Sequence, residues 1–229
     1  MSALDGKDYL YLIWQDEKTR RQYIVGQLTK NGQYEFQYFN EIDLALDAGF
    51  KPLISFENVK KTYYSNVLFP SFSSRLPDRK RKDIQQILQK YNLKEYDAYE
   101  LLKMSGARLP IDKLQFVDPI LSINNSFERK IYMAGTRHYL GCDGEDCSKA
   151  LKLCIGDRVY LEKEPENEYD EKAVKVVDQS GIKIGYIPRY YSSAYTRLIS
   201  ENRMIECIIL EVDKNKSCSE CVSMLIKVK

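Results

Sequence analysis

The apolar residues of this 229-residue chain come in short alternating runs, each closed by turn-forming residues. Asp8–Trp14, Arg21–Leu28 and Tyr34–Phe39 alternate in this way, with the charged stretch Gln15–Arg20 and the pair Asn31-Gly32 between them. A period of two sends alternate side chains to opposite faces of a strand, and Asn-Gly fits the left-handed geometry of a tight hairpin. The chain should therefore open as a three-stranded antiparallel sheet with Tyr34, Phe36 and Tyr38 on one face. Asn40–Ala48 reads as a short helix ended near Gly49, and Leu53–Phe56 as a further strand.

Helical spacing comes next. In Asp78–Tyr91 the apolar residues Ile84, Ile87, Leu88 and Tyr91 share one face, with Asp78 placed to cap after Pro77. Asp97–Met104 is a second helix, and Gly106 stands where a helix C-terminus favours glycine. Leu109–Asp118 reads as an irregular tail. Ser122–Ser126 (Ser-Ile-Asn-Asn-Ser) is the best linker in the chain, giving domains at 1–122 and 128–229.

The second half is richer in strands: Lys130–Tyr139, Val159–Lys163, Ala173–Val177, Lys183–Ile187, Met204–Val212 and Val222–Val228, with a helix at Tyr190–Ser200. Many short strands and one helix in so few residues suggest a small, partly closed barrel. The expected fold class is thus an α+β domain followed by a mainly-β, OB-like barrel with one or two helices. No internal repeat is visible.

Composition narrows the function. Hydrophobic residues at 44% and charged residues at 30% are ordinary for a globular chain, which argues against disorder as the main state. No apolar run is long enough to span a membrane, and the N-terminus lacks the pattern of a secretory signal. With six Cys and no such signal, a reducing cytoplasm is the expected location. His138 is the one His, so His-based zinc catalysis is out and no Ser-His-Asp or Cys-His set is visible. Phosphate-binding glycine motifs are missing too. The chain reads as a binding protein, not an enzyme.

Charge is nearly balanced at +2, with 18 basic against 16 acidic residues up to position 120 and 17 of each beyond it. Neither half is a generic polyanion binder. One local run, Arg75–Lys94, holds seven cations against Asp78 and Asp83. It suits either a solvated helix start or contact with a phosphate or an acidic partner. Eighteen Tyr suit strands, and they also suit surfaces on which bases stack.

A more specific pattern runs from 131 to 200. Ala134-Gly135-Thr136-Arg137-His138-Tyr139 is followed by Gly156-Asp157, and then by Glu164-Pro165-Glu166-Asn167-Glu168-Tyr169-Asp170. Ala173-Val174 and Gly185-Tyr186-Ile187-Pro188-Arg189 complete it. This order and spacing resembles the HIRAN domain. The resemblance implies a barrel related to the OB-fold and binding to the 3′ end of single-stranded DNA. It implies that Asp170 receives the terminal hydroxyl and that Tyr169 stacks or bonds at the terminal nucleotide. Arg137 and Arg189 would hold phosphates, and Asn167 and Tyr186 would be neighbouring polar groups of the pocket. His138 stands where the family has an aromatic stacking residue, and Gly141–Ser148 is an insertion relative to the pattern. The residues leave plainer roles open as well. Asp170 would also suit a turn before Ala173, Tyr169 a barrel rim, and Arg137 a pairing with the acids of Glu162–Glu171. Those acids oppose a DNA strand unless they point away.

Residues 8–118 carry a second resemblance. Val25-Gly26-x-Leu28, Tyr34-x-Phe36-x-Tyr38, and Leu68-Phe69-Pro70 ahead of a basic helix are similar to the small N-terminal subdomain of HipA-type kinases. The resemblance implies contact with such a kinase and with its helix-turn-helix antitoxin. It also admits an antitoxin-like chain that restrains the kinase, because the nucleotide-binding core is missing. Phe69, Pro70, Phe72 and Arg75 are the expected partner surface, with a role inside the domain's own core as the alternative.

All six Cys lie beyond residue 140. Cys142 and Cys147, with Cys218 and Cys221, are spaced so that four thiolates could converge on one zinc, although Cys221 also suits a buried thiol opening the last strand. Cys154 and Cys207 read as core residues. Two function classes therefore stand side by side: recognition of single-stranded or 3′-terminal DNA by the second half, and restraint of a HipA-type kinase by the first.

Overall fold

A computed structural model of the protein describes residues 8–39, 41–109, 111–120, 123, 125–141 and 152–229. The chain divides into two compact units, Met1–Leu121 and Ser122–Lys229.

The first unit is an α+β domain. Its antiparallel sheet begins with β1 (Asp8–Gln15), β2 (Gln22–Asn31) and β3 (Gln33–Tyr38), the last two joined by the tight turn at Gly32. Two short strands flank them, β4 (Tyr63–Ser65) beside β3 and β5 (Leu114–Val117) beside β1. The helices are α1 (Ile42–Asp47), α2 (Pro70–Ser73), α3 (Ile84–Lys90) and α4 (Ala98–Ser105). Asp97 caps α4 by accepting from the Tyr99 and Glu100 amides, as Asp favours at this position.

Three expectations are corrected here. Leu53–Phe56 is not a strand: Ile54–Phe56 makes a single 3-10 turn that drops Phe56 into the core. The fifth strand lies instead within Leu109–Asp118, which pairs with β1 from Trp14↔Leu114 to Tyr11↔Val117. The helix expected from Asp78 begins only at Ile84. Asp78 closes a turn by accepting from the Lys80 amide, and the Asp83 carboxylate is taken by the Arg81 guanidinium rather than capping α3.

A cluster of Phe rings fills the space between sheet and helices. Phe36 lies 4.5 Å from Phe56, Phe56 5.1 Å from Phe69, and Phe72 4.9 Å from Phe116, mostly in tilted or edge-on contacts that suit the ring quadrupole.

The second unit is a curled antiparallel sheet. It comprises β6 (Phe127–Tyr132), β7 (Arg158–Lys163), β8 (Val174–Val177), β9 (Lys183–Tyr186), β10 (Ile205–Val212) and β11 (Val222–Val228). Their order is β6-β11-β10-β7-β8-β9. Met133 still bonds to Val222 on β11, and the next residue, Ala134, exchanges two 2.9 Å backbone bonds with Tyr186 on β9. One bridge thus brings the two edges of the sheet together. Gly185 permits the approach, because a Cβ there would stand 2.4 Å from Met133 Sδ and 2.8 Å from the Ala134 carbonyl. The strand expected over Lys130–Tyr139 stops at Tyr132. Gly135, at φ +74°, turns the chain into the one-turn helix α5 (Thr136–Tyr139). The longer helix α6 (Arg189–Ser200) buries Tyr195 and Leu198.

Candidate nucleic-acid interface

Beside the seam of the barrel lies an open cleft of about 590 Å³. Its walls come from three places: the segment after β6 (Ala134, Tyr139), the long β7–β8 turn (Glu164 to Ala173), and the end of β9 running into α6 (Lys183 to Ser192). They meet here because the Ala134–Tyr186 bridge joins sheet edges that are far apart in sequence.

The β7–β8 turn has its own scaffold. Glu164 N–H donates to the Ala173 carbonyl and Asn167 N–H to the Glu164 carbonyl. The Asn167 side chain then accepts from the amides of Tyr169 at 3.0 Å and Asp170 at 3.2 Å. Asn is suited to this, since its short amide mimics a backbone turn. Asp170 in turn accepts from the Lys172 amide at 3.0 Å, so the turn-forming role open to it is present in the fold. Tyr169 does not pack on the rim: it is 76% exposed and leaves a ring face open at the cleft.

The floor is a polar cluster around the Tyr186 hydroxyl. This hydroxyl donates to Glu164 at 2.6 Å and receives Lys183 Nζ at 3.0 Å, Asn167 Nδ2 at 3.2 Å and the Tyr139 hydroxyl at 3.3 Å. Glu164 also accepts from Asn167 at 2.7 Å and pairs with Lys183 at 3.0 Å. Partial burial alone would raise the Glu164 carboxyl. The hydrogen bonds from Tyr186, Asn167 and Lys183 outweigh that and hold it down at about 2. Lys183 is pushed up by its bonds to Tyr186 and Glu164. Tyr186 is raised to about 12, first by burial and then by donating to Glu164. At neutral pH the cluster is an ion pair clamped around a neutral phenol.

Five of the residues expected at a DNA site meet in this cleft: Asn167, Tyr169, Asp170, Tyr186 and Arg189. Arg137 and His138 do not line it. They sit exposed on α5, next to the lining residue Tyr139. Among the described residues no ion pair ties Arg137 to the acidic stretch Glu162–Glu171. α5 is fixed by Thr136, whose buried hydroxyl donates to the Cys218 carbonyl at 2.6 Å. Sequence reasoning missed Tyr139, Glu164 and Lys183 as members of the site. Glu164 and Tyr139 lay inside the quoted motifs, but it takes the pairing of β7, β8 and β9 to bring Glu164 to Lys183, and the closure of the sheet to bring Tyr139 there.

The acids do not point away: Glu166 and Glu168 line the cleft with Glu164 and Asp170. Of the expected zinc ligands, Cys142 and Cys147 lie outside the described residues. Cys218 is half-buried, and Cys221 is buried with its thiol directed at the Cys218 carbonyl.

The surface expected at Phe69, Pro70, Phe72 and Arg75 is corrected. Phe69 and Phe72 are buried in the first core, and only Pro70 is exposed. Arg75, its side chain 7% accessible, binds Asp112 through both terminal nitrogens at 2.5 and 2.9 Å, and also the Ala107 and Leu114 carbonyls. Phe69, Phe72 and Arg75 thus take the role inside the domain's own core that the sequence also left open, with Arg75 tying the segment after α2 to β5. The basic run is likewise partly spent, with Arg81 on Asp83 and Arg79 over the Tyr96 ring at 4.6 Å.

The chain thus carries a curled sheet with a lateral cleft in one unit and a helix-backed sheet in the other. The family model of the HIRAN domain matches residues 127–227, and that of the HipA N-terminal domain matches residues 19–110. Both resemblances drawn from the sequence therefore hold, each in its own unit.

Three solved structures are similar to the chain. The HIRAN domain of human HLTF is 17% identical, with 47% of this chain and 81% of that chain covered and a TM-score of 0.36. A protein from Lactobacillus plantarum is 23% identical, with 46% and 99% covered and a TM-score of 0.34. The HLTF HIRAN domain in its DNA-bound conformation is 18% identical, with 46% and 74% covered and a TM-score of 0.29. A comparison with curated protein sequences finds no match. Among the described residues no helix is long and apolar enough to cross a membrane.

Proposed function

We propose that the second unit binds single-stranded DNA at its 3′ end in the cleft beside the barrel seam, and that the chain acts by binding rather than catalysis. The observation that carries this reading is the Asn167-ordered turn. It holds an exposed aromatic ring, Tyr169, next to a carboxylate, Asp170, at the mouth of a cleft bounded by Arg189. A strand end needs those three chemistries: a face for the last base, an acceptor for its hydroxyl, and a cation for the preceding phosphate. The HIRAN match over 127–227 supports the same reading. Arg137 and His138, exposed one helical turn away, would meet the strand as it leaves the cleft.

The test is fluorescence anisotropy with short single-stranded DNA carrying a free 3′ hydroxyl, a 3′ phosphate, or an end buried in a duplex. The free hydroxyl should bind best. Arg137→Ala should weaken it without lowering the melting temperature, and Asp170→Ala should weaken it with only a small loss of melting temperature from the lost bond to the Lys172 amide. Equal affinity for all three ends would defeat the mechanism.

A second reading rests on the match at residues 19–110: the first unit binds and restrains a HipA-type kinase, as part of a toxin–antitoxin pair. It expects a complex on co-expression that survives Asp170→Ala. With Phe69, Phe72 and Arg75 buried, the contact would fall on other surfaces of this unit. No complex with a co-expressed HipA-type kinase would overturn it.

A further inference from the structure

The cleft proposed for a polyanion is lined by four carboxylates. Glu164 is neutralised by Lys183. Glu166 and Glu168 are different: they are exposed, they flank Asn167 on the ordered turn, and among the described residues no ion pair engages either. Neither takes part in the hydrogen bonds that build the turn, which run through Asn167 and Asp170 and the backbone. Their charge is therefore unspent, and it faces the place where a strand would terminate.

We infer that Glu166 and Glu168 act as an electrostatic filter that admits a strand end finishing in a neutral hydroxyl and rejects one finishing in a phosphate. This rests on the DNA-end reading above and assigns its end selectivity to two residues outside the hydrogen-bonding set. A hydroxyl-ended strand brings a neutral nucleoside to the turn and keeps its nearest phosphate one sugar away. A 3′ phosphate adds a charge of about −1.5 to −2 beside the two carboxylates. Repulsion of this kind acts through solvent and is screened over about 10 Å at 0.1 M salt, so the filter should weaken as salt rises. Direct hydrogen bonding of the hydroxyl to Asp170 is far less sensitive to salt.

The experiment compares hydroxyl-ended and phosphate-ended single strands in anisotropy titrations of the intact protein and of E166Q/E168Q, at low and high salt. In the wild type the hydroxyl-to-phosphate affinity ratio should shrink about threefold between about 20 mM and about 200 mM salt. In E166Q/E168Q the low-salt ratio should fall about fivefold, mainly because the phosphate-ended strand binds better. E166K/E168K should lower the ratio further, with melting curves of all three proteins superimposed. A wild-type ratio that E166Q/E168Q leaves intact, whatever its dependence on salt, would overturn the filter and leave selection to Asp170, whose own charge also repels a phosphate. A wild type that ignores the end altogether would overturn the end-binding reading itself, so the two failures are distinct.

Discussion

Arg75 and Lys183 are both cations paired with a carboxylate, and they are used in opposite ways. Arg75 lies inside the first unit, tied to Asp112 and to two carbonyls that anchor β5. Lys183 stands at the wall of an open cleft, where with Glu164 it fixes the hydroxyl of Tyr186. Aromatic residues divide the same way. All the Phe except Phe127 belong to the first unit, where most pack against one another, whereas the cleft of the second unit is bounded by Tyr139, Tyr169 and Tyr186. Phe gives the larger purely apolar contribution, and Tyr keeps a polar tip for a ligand or a network. One unit spends its unusual residues on its own cohesion, and the other arranges them around a space.

The sharpest way to break this contrast is to truncate one core ring. Phe72→Ala should destabilise the first unit by about 3–5 kcal/mol, since the ring is enclosed by Phe36, Phe56, Phe69 and Phe116. Trp14, the single Trp, lies in that unit and reports its unfolding in urea by fluorescence. DNA-end affinity at low denaturant should not change. Arg75→Ala should cost about 2–3 kcal/mol in the same assay, because Asp112 keeps a charge whose main partner is gone. If Arg75→Ala left stability intact and abolished a partner complex, the residue would belong to a surface after all.

Smaller effects are expected in the second unit. Gly185→Ala should open the Ala134–Tyr186 bridge, because the added carbon overlaps Met133, and should lower end affinity together with melting temperature. Asp170→Asn should weaken the hydroxyl-ended strand about tenfold and leave melting nearly unchanged, because the Asn carbonyl can still accept from the Lys172 amide while the charge facing the ligand is lost. Acid should act last. A carboxyl whose folded value is depressed contributes stability above its unfolded value and loses it as pH falls through the folded one. Glu164, held at about 2, should therefore keep the cleft intact from pH 7 to about 4.5 and release it progressively toward about 2. Near-ultraviolet circular dichroism of the Tyr186 environment follows this release, and Tyr186→Phe should move it to higher pH.

Local signals explain what was legible in the sequence. The Asn31-Gly32 turn, the helix α4 and its Gly106 end are decided by neighbours within a few residues, and so is the period of α6. Strand β5 was hidden because Leu114–Val117 is too short for its alternation to stand out and is defined by pairing with β1, about a hundred residues earlier. The late start of α3 was hidden because Asp78 closes a local turn on the Lys80 amide, an alternative use of a capping residue that periodicity does not foresee. In the cleft, the resemblance to the HIRAN domain marked Asn167, Tyr169, Asp170, Tyr186 and Arg189, which the fold does gather. Lys183 escaped because its meaning comes from Glu164, which the pairing of β7, β8 and β9 brings to it from about twenty residues earlier.

The most direct test of the cleft as the ligand site is amide chemical-shift mapping of the full-length protein. The titrant is a short single-stranded DNA with a free 3′ hydroxyl. The expected result is that Tyr169 and Asp170, whose amides are bound to Asn167, shift first together with Tyr186 and Arg189, while the first unit is unmoved. Shifts concentrated on the basic run between Arg79 and Lys94, with the Asn167 turn silent, would contradict the account and make DNA binding a matter of surface charge alone.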